Sequence, residues 1–589
     1  MNTGGRAFKA FAVILAVLLT AAACAPAAAP APAVPAAPAA PAPSSAAPSP
    51  RTAPTVALPK RGSSITLPIP QILKGTDPHT TQVLAKEVWL QAGNALIDTD
   101  AQNFTLQPGL AESWSVSPDG KTITLNIRKG VKWQNVPPIS GREFTADDAV
   151  YNLRRIAGRF PVQGKTFWRT SMLLAMDDAA AADKYTVKIT MKQPSVSFLA
   201  SLASVWNPMV PRELVDQCGG VLDDTLKCTV GTGPLVLKTF EDGVQATWDR
   251  NPGYWKKGAD EKPLPYLDQV KWVWFGDVAT IVSSIAVGKA AMYQKATLAE
   301  VSSLKATQAK VRLTYYDKTV VWTAHLNHSK PPFNDLRVRT AIDLVLERRK
   351  SLNNAQGDIP WNWTGFLPRT YGDLVVPEEE IKNRPGFRDD KTEDVKTARK
   401  LLEEAGYGPN KLLMFKVYAS ATSDCGRDCP ILFADQINTH LKGLAHVTPA
   451  PVPSTERAKR ESDGDFDFFF HPLAADPDPG TLLTDRYHSK GSRNVSKYNS
   501  PQMDRLLEEQ ERTFDREKRK QLLWQIQRLG LDDRVLIGWG GTWTIMVMQP
   551  NLKGWIPGAD IAGGDIFYSV DKVWLDEMPS PATWPIIDR

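Results

Sequence analysis

The sequence predicts a multidomain α/β protein. A strand hairpin running into a capped helix over residues 107–156, further capped amphipathic helices in the C-terminal half, and sheer length together predict it. The chain has 589 residues, and about 530 remain from Arg61 onward. That exceeds what one hydrophobic core sustains, so two or three domains are expected. Hydrophobic residues make up 42% and charged residues 23%, the balance of an ordinary soluble globular chain. After residue 24 no run is long and apolar enough to span a membrane.

The N-terminus reads as a leader. Arg6 and Lys9 precede the apolar Ala10–Leu19, and Ala21-Ala22-Ala23 precede Cys24. This is a secretory signal, 1–23, too short for a membrane span of about 20 residues. Small residues before a Cys resemble the bacterial lipobox, with Ala21 where that motif prefers Leu, and the resemblance implies lipidation of Cys24. An ordinary cleaved signal beside an incidental Cys is the alternative. Residues 25–60 hold 11 prolines in 36, with no charge before Arg51. Such a stretch favours polyproline II and cannot bury a core. At about 3.1 Å per residue it reaches roughly 110 Å, which suits a tether over 24–60 hanging a folded body off a membrane. The formal charge is +6, and removing Arg6 and Lys9 with the leader leaves +4. The charge is scattered rather than striped, so nucleic acid is not an expected partner.

Ser113–Val116 and Thr122–Ile127 alternate polar with apolar residues, as half-buried strands do. Pro118-Asp119-Gly120 between them is a turn: Pro fixes φ, and Asp and Gly tolerate left-handed φ. Thr145 can cap the next helix, with Asp148 completing a capping-box variant. Downstream, Thr392–Ala405 carries Val395, Ala398, Leu401 and Leu402 at helical spacing and is stopped by Gly406. Ser500-Pro501 caps and opens Gln502–Arg512, and Arg516–Leu529 is amphipathic through Leu522, Leu523, Ile526 and Leu529. Asp465–Phe470 is the most strand-like apolar run.

Residues 107–156 closely resemble a recurring block of extracellular solute-binding protein family 5, the dipeptide- and oligopeptide-binding proteins that feed ABC importers. The resemblance continues through Gly231-Thr232-Gly233-Pro234, Asn251-Pro252-Gly253-Tyr254-Trp255, Pro265-Tyr266-Leu267-Asp268 and Pro331-Pro332-Phe333-Asn334-Asp335, and covers roughly residues 63–560. It implies a periplasmic-binding-protein-like clamshell, two ligand-enclosing lobes plus an extra domain. By analogy, lobe I takes 61–91, 231–312 and 536–589, the extra domain 92–230, and lobe II 313–535. It also implies an extracytoplasmic, lipid-anchored monomer that carries a peptide or other small solute to ABC permease subunits. An oligosaccharide or other non-peptide solute, or a sensory or chaperone-like role, are the alternatives.

With Cys24 assigned to lipid, Cys218 with Cys228 and Cys425 with Cys429 form two local pairs in Gly/Asp-rich contexts. Their even number suggests two short-loop disulfides in an oxidising compartment. Four Cys can also bind zinc, although spacings of ten and four residues are unlike the usual close pairs. No nucleophile elbow, zincin motif, phosphate loop or dinucleotide fingerprint is present, so neither an enzyme nor a cofactor is expected. The histidines read as surface or loop residues, with His325 and His328 aimed at opposite faces of a strand.

The ligand is expected where lobe II's apolar strand empties into His471–Gly480, since ligands of α/β folds gather at the carboxyl ends of strands. Peptide binders of the family commonly place a carboxylate there, and aligning the Asp476-Pro477 step puts Leu473 at that position. Asp476 or Asp478 would then substitute, with His471 beside them; a plain surface turn with solvated Asp476 and Asp478 is the alternative. Trp361, Trp363 and Trp539 are Gly-flanked or near glycine and expected to be exposed as apolar walls, or else to pack in the core. Trp114 and Trp255 match scaffold positions.

Overall fold

The computed structural model describes residues 58–69, 76–81, 85–100, 104–275, 277–296, 298–307, 310–356, 361–420, 428–474, 476, 478–556 and 570–577. The leader, Cys24, most of the tether and Cys425 lie outside them.

Three sheets organise the described chain. The first, of four strands, runs in the order Ser64–Ile69, Gln269–Trp274, Gln245–Arg250, Leu235–Glu241, its first pair parallel and the rest antiparallel. A second, antiparallel sheet has the order Ala111–Val116, Thr122–Ile127, Thr186–Met191, Met176–Asp183. It contains the expected hairpin, with Trp114 opposite Leu125 and Gly120 at φ +67° in the turn. Helix Ala146–Ile156 follows as expected; the Asp148 carboxylate accepts from Thr145 N–H at 2.9 Å, completing the capping box.

These two sheets share one core. Ile65, Leu67, Trp248 and Trp272 of the first belong to the same buried cluster as Ile123, Leu125 and Val187 of the second. The Gly231–Pro234 motif sits at the seam. A Cβ at Gly231 would lie 2.1 Å from the Ala92 carbonyl oxygen, and one at Gly233 2.4 Å from the Ala92 carbonyl carbon. Only glycine permits that approach. Asn251 locks the motif: its N–H donates to Pro234 O at 2.8 Å and its Nδ2 to Gly233 O at 2.9 Å. Trp255 is held as scaffold, donating from Nε1 to Asn94 Oδ1 at 3.1 Å.

The third sheet is mixed and has seven strands: Met292–Ala296, Leu536–Met548, Arg312–Leu326, Phe468–Ala474, Leu413–Ser420 and Ala445–Val452 in order, with Trp361–Asn362 also paired to Leu536–Met548. Two of its strands are unusually long, 15 residues for Arg312–Leu326 and 13 for Leu536–Met548. One end of the pair faces Met292–Ala296 and the other faces Phe468–Ala474. Between the ends the register breaks, between Asp317 and Val321 and again between Trp322 and Thr323.

The expected helices form. Thr392–Glu404 ends before Gly406 at φ +86°. In Pro501–Arg512 the Ser500 hydroxyl caps Met503 N–H, and Arg516–Asp532 follows. Two expectations are corrected. The apolar strand extends through Ala474, so His471 and Pro472 lie within it rather than in a loop. Among the described residues, pairing to Leu413–Ser420 covers only Phe468 and Phe469, so proline at 472 removes no ladder bond to that strand. The second correction concerns His325, which is neither a surface nor a loop residue: it is buried in strand Arg312–Leu326, stacks on Phe469 and contacts Ser496 Oγ at 3.3 Å. His328 is a half-buried loop residue past the strand end, its Nε2 3.1 Å from Val535 O.

Cys218 and Cys228 are disulfide-bonded. Cys429 is buried and disulfide-bonded, and its expected partner Cys425 lies outside the described residues. Among the described residues no helix is long and apolar enough to cross a membrane, and no group of three or more His, Cys, Asp or Glu is placed to hold a metal ion.

Candidate functional site

The register of the third sheet gathers most of the positions singled out from the sequence. His471 lies opposite Thr323, which lies opposite Gly538; two residues along, Leu473, Val321, Gly541 and Asn362 form a row across four strands. Trp361, beside Asn362, pairs with Thr542.

Two tryptophans are corrected from exposed walls to core. Trp539 is 1% exposed and packs on Phe470 and Phe433 with ring centroids at 4.8 and 5.7 Å. Trp363 is buried among Val376, Ile381, Phe387 and Leu531. The nearby glycines serve close packing rather than exposure: a Cβ at Gly538 would meet Gly365 O at 2.3 Å.

The two aspartates have different fates. Asp478 caps helix Pro479–Tyr487, accepting from Gly480 N–H at 2.7 Å, and pairs bidentately with Arg519 at 2.6 and 2.8 Å. Its carboxylate is consumed by the scaffold, not solvated. Asp476 is buried, its backbone bracketed by one hydroxyl: its N–H donates to Tyr371 Oη at 2.9 Å, and that hydroxyl donates to Asp476 O at 2.7 Å. Burial pushes its carboxyl above the usual range, against the pull of Arg493, Arg169 and Arg486.

Around Asp476 the structure assembles residues that sequence reasoning missed. Phe104, Val205 and Trp206, from the segment 92–230, share an apolar cluster with Val321, Tyr371, Leu473 and Tyr487 from the segment 313–535. Beside it lies a buried polar group. Arg169 is fully buried with its guanidinium over Trp206 at 4.4 Å. Asp485 accepts from Ser171 and from Ser492 (2.7 Å), and its other oxygen is 3.7 Å from Arg493 Nε. Burial lowers the Arg169 pKa to about 9 and that of Arg486 to about 10, with Arg493 repelling both. Nothing local in the sequence marks these residues, because they come from segments more than 300 positions apart.

The same two segments are clasped a few residues away. Glu511 accepts from Ser195 Oγ at 2.7 Å and from Ser197 Oγ at 2.6 and 2.7 Å, and its carbonyl accepts from Val196 N–H at 2.8 Å. A small cleft open to solvent lies there, lined by Ser171, Ser201, Thr481 and Glu511 among others. A second opens between Trp89, Asn94, Tyr254, Lys256 and Asp571. In it Lys256 Nζ is already paired with Asp98 at 2.6 Å.

The chain resembles known proteins along most of its length. It is 24% identical over 497 residues to heme-binding protein A of Haemophilus influenzae, covering 82% of this chain and 86% of that protein. It is 27% identical over 416 residues to di/tripeptide-binding protein 2 of Pseudomonas aeruginosa, covering 68% and 74%. Among solved structures, the periplasmic binding protein DppA from Helicobacter pylori in complex with peptide STSA superposes with a TM-score of 0.77 at 20% identity, over 88% of this chain and 99% of that one. The binding protein AgaA in complex with agropinic acid, from A. tumefaciens R10, gives 0.74 at 20% identity, over 87% and 99%. The profile of the bacterial extracellular solute-binding proteins, family 5 Middle, matches residues 105–494. With that profile spanning well over half the sequence, on an α/β clamshell framework, the chain belongs to the bacterial extracellular solute-binding proteins of family 5.

Proposed function

We propose that the protein captures a peptide or related small solute outside the membrane and delivers it to an ABC permease without chemical turnover. The observation that carries this reading is the pair of long strands, Arg312–Leu326 and Leu536–Met548. They join a body built on the first two sheets to one built on Phe468–Ala474, with register breaks midway. Two connecting strands interrupted by a bulge are a suitable hinge. The apolar cluster of Phe104, Val205 and Trp206 against Tyr371 and Leu473 supplies faces that close on each other. We retain the division into lobe I (61–91, 231–312, 536–589), extra domain (92–230) and lobe II (313–535). A lipid on Cys24 and the Ala/Pro tether would hold this monomer in the periplasm or at the outer face of the cell membrane.

A second reading, a non-peptide solute, is favoured by the apolar Leu473 and by Asp478 being spent on Arg519, which leaves no free carboxylate at those positions for a peptide's ammonium. A thermal-shift screen over di- to pentapeptides, organic acids and oligosaccharides separates the two. A solute at 100 times its dissociation constant should stabilise by about 2.7 kcal/mol. Hydrolysis of a stabilising solute would refute the transport reading, and retention of a Cys24→Ser variant in the membrane fraction would refute the anchor.

A further inference from the structure

We propose that Glu511 is the latch of the clamshell: it grips residues 195–197 when the segments 92–230 and 313–535 come together, and sets how readily they part. The proposal rests on the solute-binding reading above and names the residue that governs release.

Donors from three consecutive residues converge on this one side chain and its carbonyl. The carboxylate accepts from Ser195 Oγ at 2.7 Å and from Ser197 Oγ at 2.6 and 2.7 Å, and the carbonyl accepts from Val196 N–H at 2.8 Å. Ser195 and Glu511 lie 316 positions apart, so this is a junction between distant parts of the chain. Pro194 precedes the gripped residues and stiffens them, which lowers the ordering cost each time they are caught.

The place of Glu511 on its own helix argues against a local role. It is the last residue but one of Pro501–Arg512, where the helix dipole disfavours a carboxylate. Its carbonyl is among the last four, which have no partner within the helix. From its own segment the carboxylate receives the neighbouring Gln510 amide, Nε2 to Oε1 at 2.8 Å. Among the described residues no Lys or Arg forms an ion pair with it: Arg519, near enough to feel its charge, is held by Asp478 at 2.6 Å. What satisfies Glu511 comes chiefly from across the junction.

That donor set makes the grip both firm and reversible. Hydroxyl-to-carboxylate bonds are directional and charge-assisted, so they hold one closed arrangement. When they break, water replaces each partner and no buried cation is stranded, the event that makes a buried ion pair costly to open. The solvent-open cleft lined by Ser195, Ser197 and Glu511 brings water to that edge. Beside it the apolar faces of Val205, Trp206 and Leu473 supply attraction without direction, and Glu511 fixes the position at which closure stops.

The test follows opening in the full chain stripped of solute by washing in denaturant and refolding. One reporter is hydrogen exchange at the Val196 amide; the other is thiol labelling of Val205→Cys, a position buried in the apolar junction. Both should be protected, yet open more often than the Leu125 amide of the core strand Thr122–Ile127 exchanges, as sub-global opening requires. Glu511→Ala should speed both reporters about tenfold or more, the equivalent of one charge-assisted bond. Ser195→Ala combined with Ser197→Ala should do the same from the other side, and decides the matter if Glu511→Ala does not fold. Reporters unprotected in wild type, or as slow as Leu125, overturn the latch. So does faster exchange at Val196 with unchanged labelling at position 205, which is local fraying, or no change in either variant. With Ala-Ala-Ala as probe, slower reporters in wild type and about tenfold weaker binding to Glu511→Ala support a role in release, and unchanged affinity overturns it. Silence of Ala-Ala-Ala counts against the peptide reading alone, and the solute-free reporters still decide the latch.

Discussion

Acidification from pH 7 to pH 5 is expected to destabilise the ligand-free protein through histidines that the fold keeps neutral. His79 is the best defined. It is fully buried; its Nε2–H donates to Pro208 O at 3.1 Å, and its Nδ1 accepts from Arg155 Nη1 at 2.6 Å. That network fixes the tautomer. A proton added at Nδ1 would point at the guanidinium, so burial and then Arg155 lower the pKa from 6.5 to about 3, against a smaller opposing pull from Asp77. His328, half-buried with Nε2 on Val535 O and with Arg339 nearby, is likewise lowered to about 3. Both pKa values are depressed, so between pH 6.5 and 3 the unfolded chain binds protons that the native state refuses. The stabilisation is complete above about pH 6.5 and is lost as pH falls towards 3. At pH 5 each histidine costs about 2 kcal/mol, or about 4 kcal/mol together. Asp476 and Asp571, raised by burial, act with the opposite sign. For that reason the slope is isolated by substitution. His79→Gln keeps an N–H for Pro208 and an oxygen for Arg155, and should flatten the stability profile between pH 4 and 6 by about 1.4 kcal/mol per pH unit. Urea unfolding followed by tryptophan fluorescence across pH 4–7 measures it. Parallel profiles for wild type and variant would refute the reasoning.

Gly231→Ala should destabilise by about 3 kcal/mol, because its Cβ would meet backbone, the Ala92 carbonyl at 2.1 Å, rather than a side chain able to move; urea midpoints at unchanged slope check it. Asp478→Ala should cost about 3–5 kcal/mol, since it leaves Arg519 buried without its partner and uncaps helix Pro479–Tyr487. A cost below about 1 kcal/mol in the same unfolding assay would mean that the pair is solvated.

What the sequence determined alone was what short-range physics encodes. The hairpin at 111–127 follows from alternation and from a Pro-Asp-Gly turn. The helices at 146–156, 392–404 and 501–512 follow from caps and stops within a few residues of each end. The clamshell was legible by resemblance through motifs whose contacts the structure explains: Gly231 and Gly233 press on Ala92, and Asn251 ties back to both Gly233 and Pro234. What tertiary structure decided was burial and pairing. A glycine beside a tryptophan reads locally as an open loop, yet Gly538 is there because the Gly365 carbonyl needs the space, and Trp539 is buried. Asp478 looks like a free surface carboxylate until Arg519, 41 residues on, closes over it. Arg486 looks like an ordinary charged residue near a helix end. Only when Arg169, more than 300 residues earlier, folds against Asp476 and Asp485 does a buried cluster of opposite charges emerge. Charge balance in a low-dielectric interior is a property of the assembled neighbourhood, and no local stretch of sequence contains it.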